Sequence, residues 1–203
     1  MRWTLLFVKT ILALVNRLSN YELYYSVHLD LQFFQTLALL EVVHSAIGLV
    51  RSPVVTTIKQ VTSRIVVVWL LLYVVRTSRH SIGVPLILIA WPVTEVIRYS
   101  FYALTLINKV PWVLKWMRYT FFIVLYPVGA LGEILIALAA LPEIAVKKHL
   151  TLEMPNNLNC AFSFWWFIAL GAAYYPIGFP PMYFYMFKQR NKALYIEDSK
   201  KRN

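Results

Sequence analysis

Charge is what this chain of 203 residues has least of: Asp, Glu, Lys and Arg together make up 14%, against about 25% in a soluble domain. Acidic residues are the scarcer sign, nine Asp and Glu beside twenty Lys and Arg. With 60% apolar residues the chain is not a disordered one, because disorder requires low hydrophobicity. Its one cysteine, Cys160, cannot pair within the chain, which excludes a disulfide scaffold. Six glycines and ten prolines spread among long apolar runs exclude collagen-like and low-complexity sequence. The four histidines and the cysteine show no zinc-like spacing, and there is no Gly-rich phosphate loop. A phosphatase loop of the Cys-x5-Arg type is also missing, since the sixth residue after Cys160 is Trp166.

What is there is hydrophobicity in long runs. A mean hydropathy of +0.61 and the composition together read as a membrane protein. A net charge of +11 would point to nucleic acid in a soluble protein. In a membrane protein it is read by side, because Lys and Arg accumulate on cytoplasmic loops; the expected partner is the lipid bilayer, and no nucleic acid.

Spanning the hydrocarbon core takes about 20 residues of helix, and charged or turn-rich clusters divide the chain into six apolar segments, 3–15, 33–50, 61–75, 82–107, 119–141 and 161–187. No interval between them exceeds about 19 residues, too short for a soluble domain. The expectation is an all-α polytopic transmembrane bundle, a single domain over 1–203 with a basic tail at 188–203. The first segment contains Lys9 and is short: thirteen residues at about 1.5 Å each cover about 20 Å of a ~30 Å core. We read it as a shortened or truncated span. A signal peptide is disfavoured, since Lys9 interrupts it and no small-x-small site precedes Asn16 and Arg17.

With the N-terminus in the cytoplasm, thirteen Lys and Arg fall on that side and five opposite, Lys9 and Arg98 lying within segments. This split places both chain ends inside. The end reads Ser199-Lys200-Lys201-Arg202-Asn203. Lysines fourth and third from the end resemble the retrieval signal of endoplasmic-reticulum membrane proteins, the alternative being a solvated basic tail.

Ionisable groups inside spans are costly enough to mark function by default. Segment two carries Gln35, Glu41 and His44, the last two on one helix face. Segment four carries Glu95 and Arg98, followed by Tyr99 and Tyr102. Segment five carries Tyr126 and Glu133 in Leu-Tyr-Pro-Val-Gly-Ala-Leu-Gly-Glu. Seven residues at 100° return Glu133 to within about 20° of Tyr126, two turns or about 10 Å along the axis. Gly129 lies between them on that face, Gly132 widens the gap, and Pro127 removes the backbone bond to Ile123 and favours a kink. A phenol and a carboxylic acid flanking a gap describe a pocket. The packing alternative makes Tyr126 an interfacial aromatic, the glycines close-packing sites and Glu133 a partner for Arg98. For Glu95 with Arg98, a structural ion pair is the favoured reading, and for Glu41 and His44 an interhelical pair.

The blocks Gln35-Thr-Leu-Ala-Leu-Leu-Glu41-Val-Val-His44 through Gly48-Leu-Val-Arg51-Ser52, Thr94-Glu95-Val-Ile-Arg98-Tyr99-Ser-Phe-Tyr102, and Arg118-Tyr119-Thr with Leu125-Tyr126-Pro127 through Gly132-Glu133 closely resemble the very-long-chain 3-hydroxyacyl-CoA dehydratases, a family also called protein tyrosine phosphatase-like. The resemblance covers about residues 30 to 190. It implies a six-span protein of the endoplasmic reticulum that performs the third step of fatty-acid elongation, with elongases and the reductases of that cycle as partners. The family's catalytic Tyr and Glu fall on Tyr126 and Glu133. Members usually begin with a longer first span bearing a prominent Gly-Trp pair, whereas here Arg2-Trp3 follows Met1, so the chain reads as starting midway through that span.

The implied reaction fits these residues. Converting a 3-hydroxyacyl-CoA to a trans-2-enoyl-CoA removes a proton from C2 and protonates the leaving C3 hydroxyl, for which one base and one acid suffice, with neither metal nor cofactor. Glu133 is the candidate to deprotonate C2 or the tyrosine and Tyr126 to donate to the leaving oxygen, the reverse assignment staying open. The acyl chain can lie among the spans while CoA phosphates meet Lys109, Lys115 and Arg118 at the cytoplasmic mouth. Arg98, Tyr99 and Gly129 are further substrate-binding candidates. Two other functions compete, a small transporter with the ionisable groups as an ion path, disfavoured by the lack of an inverted repeat, and a non-catalytic scaffold for elongase partners. The charge split makes a first prediction: a glycosylation acceptor placed in the 143–159 loop should be modified in microsomes, and one placed after Lys188 should not. Modification of the second site alone would invert the orientation.

Overall fold

The computed structural model describes residues 2–47, 54–154 and 161–202, with side chains for all of these except 2, 44, 55, 56 and 195–202. The described chain is helical throughout: α1 (Arg2–Val15), α2 (Asn20–Leu37), α3 (Leu39–Ala46), α4 (Val54–Ile65), α5 (Gly83–Leu106), α6 (Trp112–Thr120), α7 (Phe122–Lys147) and α8 (Phe164–Arg202). Among the described residues the only β pairing is an isolated bridge between Leu152 and Phe162. Helices α5 and α7 are long and apolar enough to cross a membrane, and α1 is apolar but shorter.

Several helices reach well beyond the apolar segments that mark them in the sequence. Helix α2 starts at Asn20, thirteen residues ahead of the segment at 33, because Ser19 caps it. The Ser19 hydroxyl accepts from the Glu22 backbone N–H and the Glu22 carboxylate accepts from the Ser19 N–H at 2.9 Å, a reciprocal capping box. Its first half buries Leu23, Tyr24, Val27 and Leu31 on one face and turns Asp30 outward to Lys9 of α1 at 2.6 Å. The charge inside the first apolar segment therefore has a partner. Helix α8 likewise runs past its apolar part to Arg202; the side chains of Lys200 and Lys201, on which the retrieval reading rests, lie outside the described residues, as do Gly48, Arg51, Ser52, Cys160 and the His44 side chain.

After α4 the chain continues as a π-helical run, Val66–Leu72, whose Val67, Val68, Leu71 and Leu72 are buried. Its last carbonyls are met by the turn that follows. Arg79, buried, donates from Nε to Leu72 O at 2.7 Å and from Nη2 to Tyr73 O at 2.8 Å, and Ser78 donates to Leu71 O at 2.8 Å. The Thr77 N–H donates to Glu143 of α7 at 2.7 Å and the Asn20 side chain to His80 O at 3.1 Å. These bonds gather the start of α2, the 76–82 turn and the end of α7 at one end of the bundle.

The apolar core fills that end, joining Leu6 of α1, Leu23 and Leu31 of α2, Val68 and Leu72, Ile87 of α5, Ile136 and Ile144 of α7 and Phe164 of α8. Along its length α5 packs on α7 with almost no separation at two glycines. A Cβ on Gly83 would sit 2.3 Å from Gly132 O, and one on Gly132 would sit 2.8 Å from Ile87 Cγ2 and 3.0 Å from Gly83 O. Backbones approach this closely only where side chains are absent. At Gly129 the same addition meets Ala90 and Trp91 at 3.7 Å, an ordinary contact. Gly83→Ala and Gly132→Ala should therefore each lower the unfolding midpoint in detergent, overpacking costing about 1–3 kcal/mol, while Gly129→Ala should stay near wild type. Equal midpoints for all three would refute this packing.

Candidate active site

Tyr126 and Glu133 both lie on α7 and both face α8. The sequence rationale for α8 is a stripe at i, i+4: Tyr175, Phe179, Tyr183 and Phe187 share one face. Run antiparallel to α7, that stripe meets it residue by residue. Phe122 packs on Phe187 at 5.2 Å and on Tyr183 at 5.9 Å; Tyr126 stacks on Phe179 at 4.7 Å and lies nearly parallel to Tyr183 at 6.2 Å. Two turns deeper, the Tyr175 hydroxyl donates to Glu133 Oε2.

Pro127 shapes this seam. As the sequence requires, it removes the N–H that would bond the Ile123 carbonyl. The Tyr183 hydroxyl donates to that carbonyl at 3.0 Å, so a polar group freed by a proline in α7 is satisfied from α8. Helix α7 stays continuous through Pro127, and the break in its course lies ahead of it, at Phe121 between α6 and α7.

Glu133 is 8% exposed. Besides Tyr175 it has Ser63 of α4 and Trp91 of α5 beside its carboxylate, with the Arg64 guanidinium facing it at longer range. Among the described residues the Tyr126 hydroxyl makes no hydrogen bond to Glu133; the tyrosine is held through its ring, two turns of α7 from the carboxylate. Gly129, the residue between them in sequence, turns its bare face to Ala90 and Trp91 of α5.

The other ionisable groups form one network. Glu95, 1% exposed, lies between Arg64 of α4 and Arg98 one turn along α5. Arg98 also grips Glu41 of α3 with two bonds of 2.6 Å, and the Tyr99 hydroxyl donates to the same carboxylate. Two arginines and two glutamates thus balance, as charges held in a bundle interior must. The ion pair of Arg98 with Glu95 is present. Glu41 is paired across helices, with Arg98 as its partner. Glu133 does not pair with Arg98, whose bonds go to Glu41 and Glu95.

Lys109 is exposed just beyond α5, after Asn108 turns the chain at φ 52°. Lys115 and Arg118 lie on α6 and are half-buried. The Arg118 guanidinium stacks 5.0 Å over Tyr102 and 5.3 Å over Phe101. Among the described residues, no cluster of three His, Cys, Asp or Glu could hold a metal ion.

Arg64 and Tyr175 escape the sequence reading for different reasons. Arg64 falls in the extended start of the third apolar segment, 61–75, yet counts in the charge split as a cytoplasmic loop charge, although helix α4 runs through it. Tyr175 sits in a span dense with aromatics and prolines, and only the i+4 stripe through Phe187 marks its face.

The arrangement defines an apolar helical bundle with a buried carboxyl, a phenol two turns away on the same helix and a balanced charge network in its interior. The chain belongs to the family described as protein tyrosine phosphatase-like protein, PTPLA, whose model matches residues 35–195. It is 55% identical over 193 residues to the very-long-chain (3R)-3-hydroxyacyl-CoA dehydratase hpo-8 of Caenorhabditis elegans, covering 95% of this chain and 88% of that protein. It is 44% identical over 201 residues to the human very-long-chain (3R)-3-hydroxyacyl-CoA dehydratase 2, covering 98% and 79%. To the rice dehydratase PASTICCINO 2A it is 40% identical over 178 residues, covering 87% and 80%. No solved structure is significantly similar.

The network generates a stability prediction. Arg98→Ala leaves Glu41 and Glu95 each short of a partner, and breaking a buried pair costs about 3–5 kcal/mol. Its unfolding midpoint in detergent should fall steeply, with Arg98→Lys recovering part of the loss; a midpoint equal to wild type would show that the pairing does not hold the bundle.

Proposed function

We propose that this chain is a very-long-chain (3R)-3-hydroxyacyl-CoA dehydratase that converts its substrate to the trans-2-enoyl-CoA in the fatty-acid elongation cycle, with Tyr126 and Glu133 as its acid–base pair. The relatives that carry this name match over nearly the whole chain. The observation that supports the site is the buried Glu133 with a phenol two turns away on the same face of α7.

In the reaction, the Glu133 carboxylate takes the C2 proton, which the thioester acidifies. The electron pair forms the C2–C3 double bond and the C3–O bond breaks. Tyr126 gives its proton to the departing hydroxyl, which leaves as water. Returning a proton from Glu133 to the Tyr126 phenolate resets the site, so atoms and charge balance over one turnover. The gap between the two groups, about 10 Å along the helix axis, accommodates the carbons that must lie between base and acid.

Six crossings of the membrane agree with the grouping of the 16–20, 76–82 and 147–149 turns at one end of the bundle. The opposite end then carries Lys109, Lys115 and Arg118, where CoA phosphates would dock, with the acyl chain running inward past Tyr126. Residence in the endoplasmic reticulum with a cytoplasmic C-terminus, and association with elongases and reductases of the cycle, belong to the same reading. Arg98 and Tyr99 serve it by holding the charge network beside the site, and Gly129 by admitting Trp91 close to α7.

Turnover of a long-chain 3-hydroxyacyl-CoA by the purified protein in detergent tests the proposal. Tyr126→Phe and Glu133→Gln each remove one proton-transferring group without emptying space. Each should lower kcat by about 10²–10⁴-fold, the usual worth of a positioned acid or base. The double variant should lose far less than the product of the two, because a pair acting as a unit is not additive. Near-normal turnover in both single variants would sink the site.

A further inference from the structure

The hydrogen-bond partner of Glu133 is not the tyrosine on its own helix but one on α8. Tyr175 donates to Oε2 of the carboxylate and is itself half-buried against it. One turn further along α8, Phe179 stacks on Tyr126, and one turn beyond that Tyr183 both flanks Tyr126 and bonds the Ile123 carbonyl. A single face of α8 therefore touches both members of the pair.

Resting on the function proposed above, we infer that Tyr175 is a positioning residue for Glu133: its hydroxyl occupies one carboxylate oxygen, Oε2, and so leaves Oε1 as the oxygen that receives the C2 proton. Glu133 has three side-chain torsions; Ser63 and Trp91 lie beside its carboxylate, but the direct bond to Oε2 comes from Tyr175 and bears on the last torsion. That donor is fixed on a neighbouring helix. The register is secured independently of Tyr175, because Tyr183 is tied to the carbonyl that Pro127 frees. Tyr175 thus has no packing duty that its ring alone would not perform, and the hydroxyl is left to act on Glu133. Misplacing a reacting group by about 1 Å can cost about 10²-fold in rate.

The test is a double-mutant cycle in the purified full chain, reading kcat and KM for a long-chain 3-hydroxyacyl-CoA and the unfolding midpoint. Tyr175→Phe keeps the ring and removes the donor. Its midpoint should stay at the wild-type value, kcat should fall about 10- to 100-fold and KM should change less than twofold. In the Glu133→Gln background the same substitution should cost little further, since Tyr175 acts only through the carboxylate. A structural role would instead lower the midpoint and multiply the two losses. Wild-type kcat in Tyr175→Phe while Glu133→Gln is impaired overturns the inference and leaves the site standing; wild-type kcat in Glu133→Gln overturns both.

Discussion

The structure depends most on the absence of two side chains. Gly83 and Gly132 let α5 and α7 touch backbone to backbone, with no room for a methyl group at either position. That contact sets both the distance and the register of the two helices. Glu133 follows Gly132 directly, so its place in the interior is fixed by the same contact. Trp91, two turns along α5 from Gly83, arrives beside the carboxylate for the same reason. With lipid on the outside there is little hydrophobic gain in bringing two helices together, and close backbone packing supplies the attraction that water would otherwise drive.

Interior polarity is the second constraint. Three charged or freed polar groups in the described interior are met from another helix, Glu95 by Arg64, Glu41 by Arg98 and the Ile123 carbonyl by Tyr183, whereas the fully buried Gln35 amide meets no partner. These bonds cross α3, α4, α5, α7 and α8. They serve less as sources of stability than as conditions on the fold, since a buried charge pair contributes little net while a broken one costs several kcal/mol. Few alternative packings would keep all of these bonds.

Against this paired background Tyr126 and Glu133 stand apart. Glu133 is bonded by Tyr175 at Oε2, with Ser63 and Trp91 also beside its carboxylate, and the Tyr126 phenol is held by stacked rings. Groups left with spare hydrogen-bonding capacity inside an apolar bundle are free to act on a bound molecule, whereas those of the charge network are saturated. On the proposed function, the network at Glu41, Glu95 and Arg98 holds the fold while Tyr126 and Glu133 do the chemistry.

Much of this was legible in the residues themselves. Helical class follows from apolar run lengths, and Tyr126 and Glu133 share a side of α7 because spacing on one helix is local geometry, whereas Gly129 turns to α5. The loss of the bond to Ile123 follows from Pro127 alone. The true start of α2 was hidden, because its buried face is diluted by Glu22, His28 and Asp30 and its onset is written in the Ser19 cap rather than in hydropathy. The ion pair of Arg98 with Glu95, one turn away, was readable, but the cross-helix partners of Arg98 and Glu133 were not, since a sequence shows which charges need pairing but not which helix brings the counter-charge. Glu41 is 57 residues from Arg98 and Tyr175 is 42 from Glu133. Only helix packing, set at the Gly83–Gly132 contact and by the bond from Tyr183 to Ile123, decides that these particular groups meet.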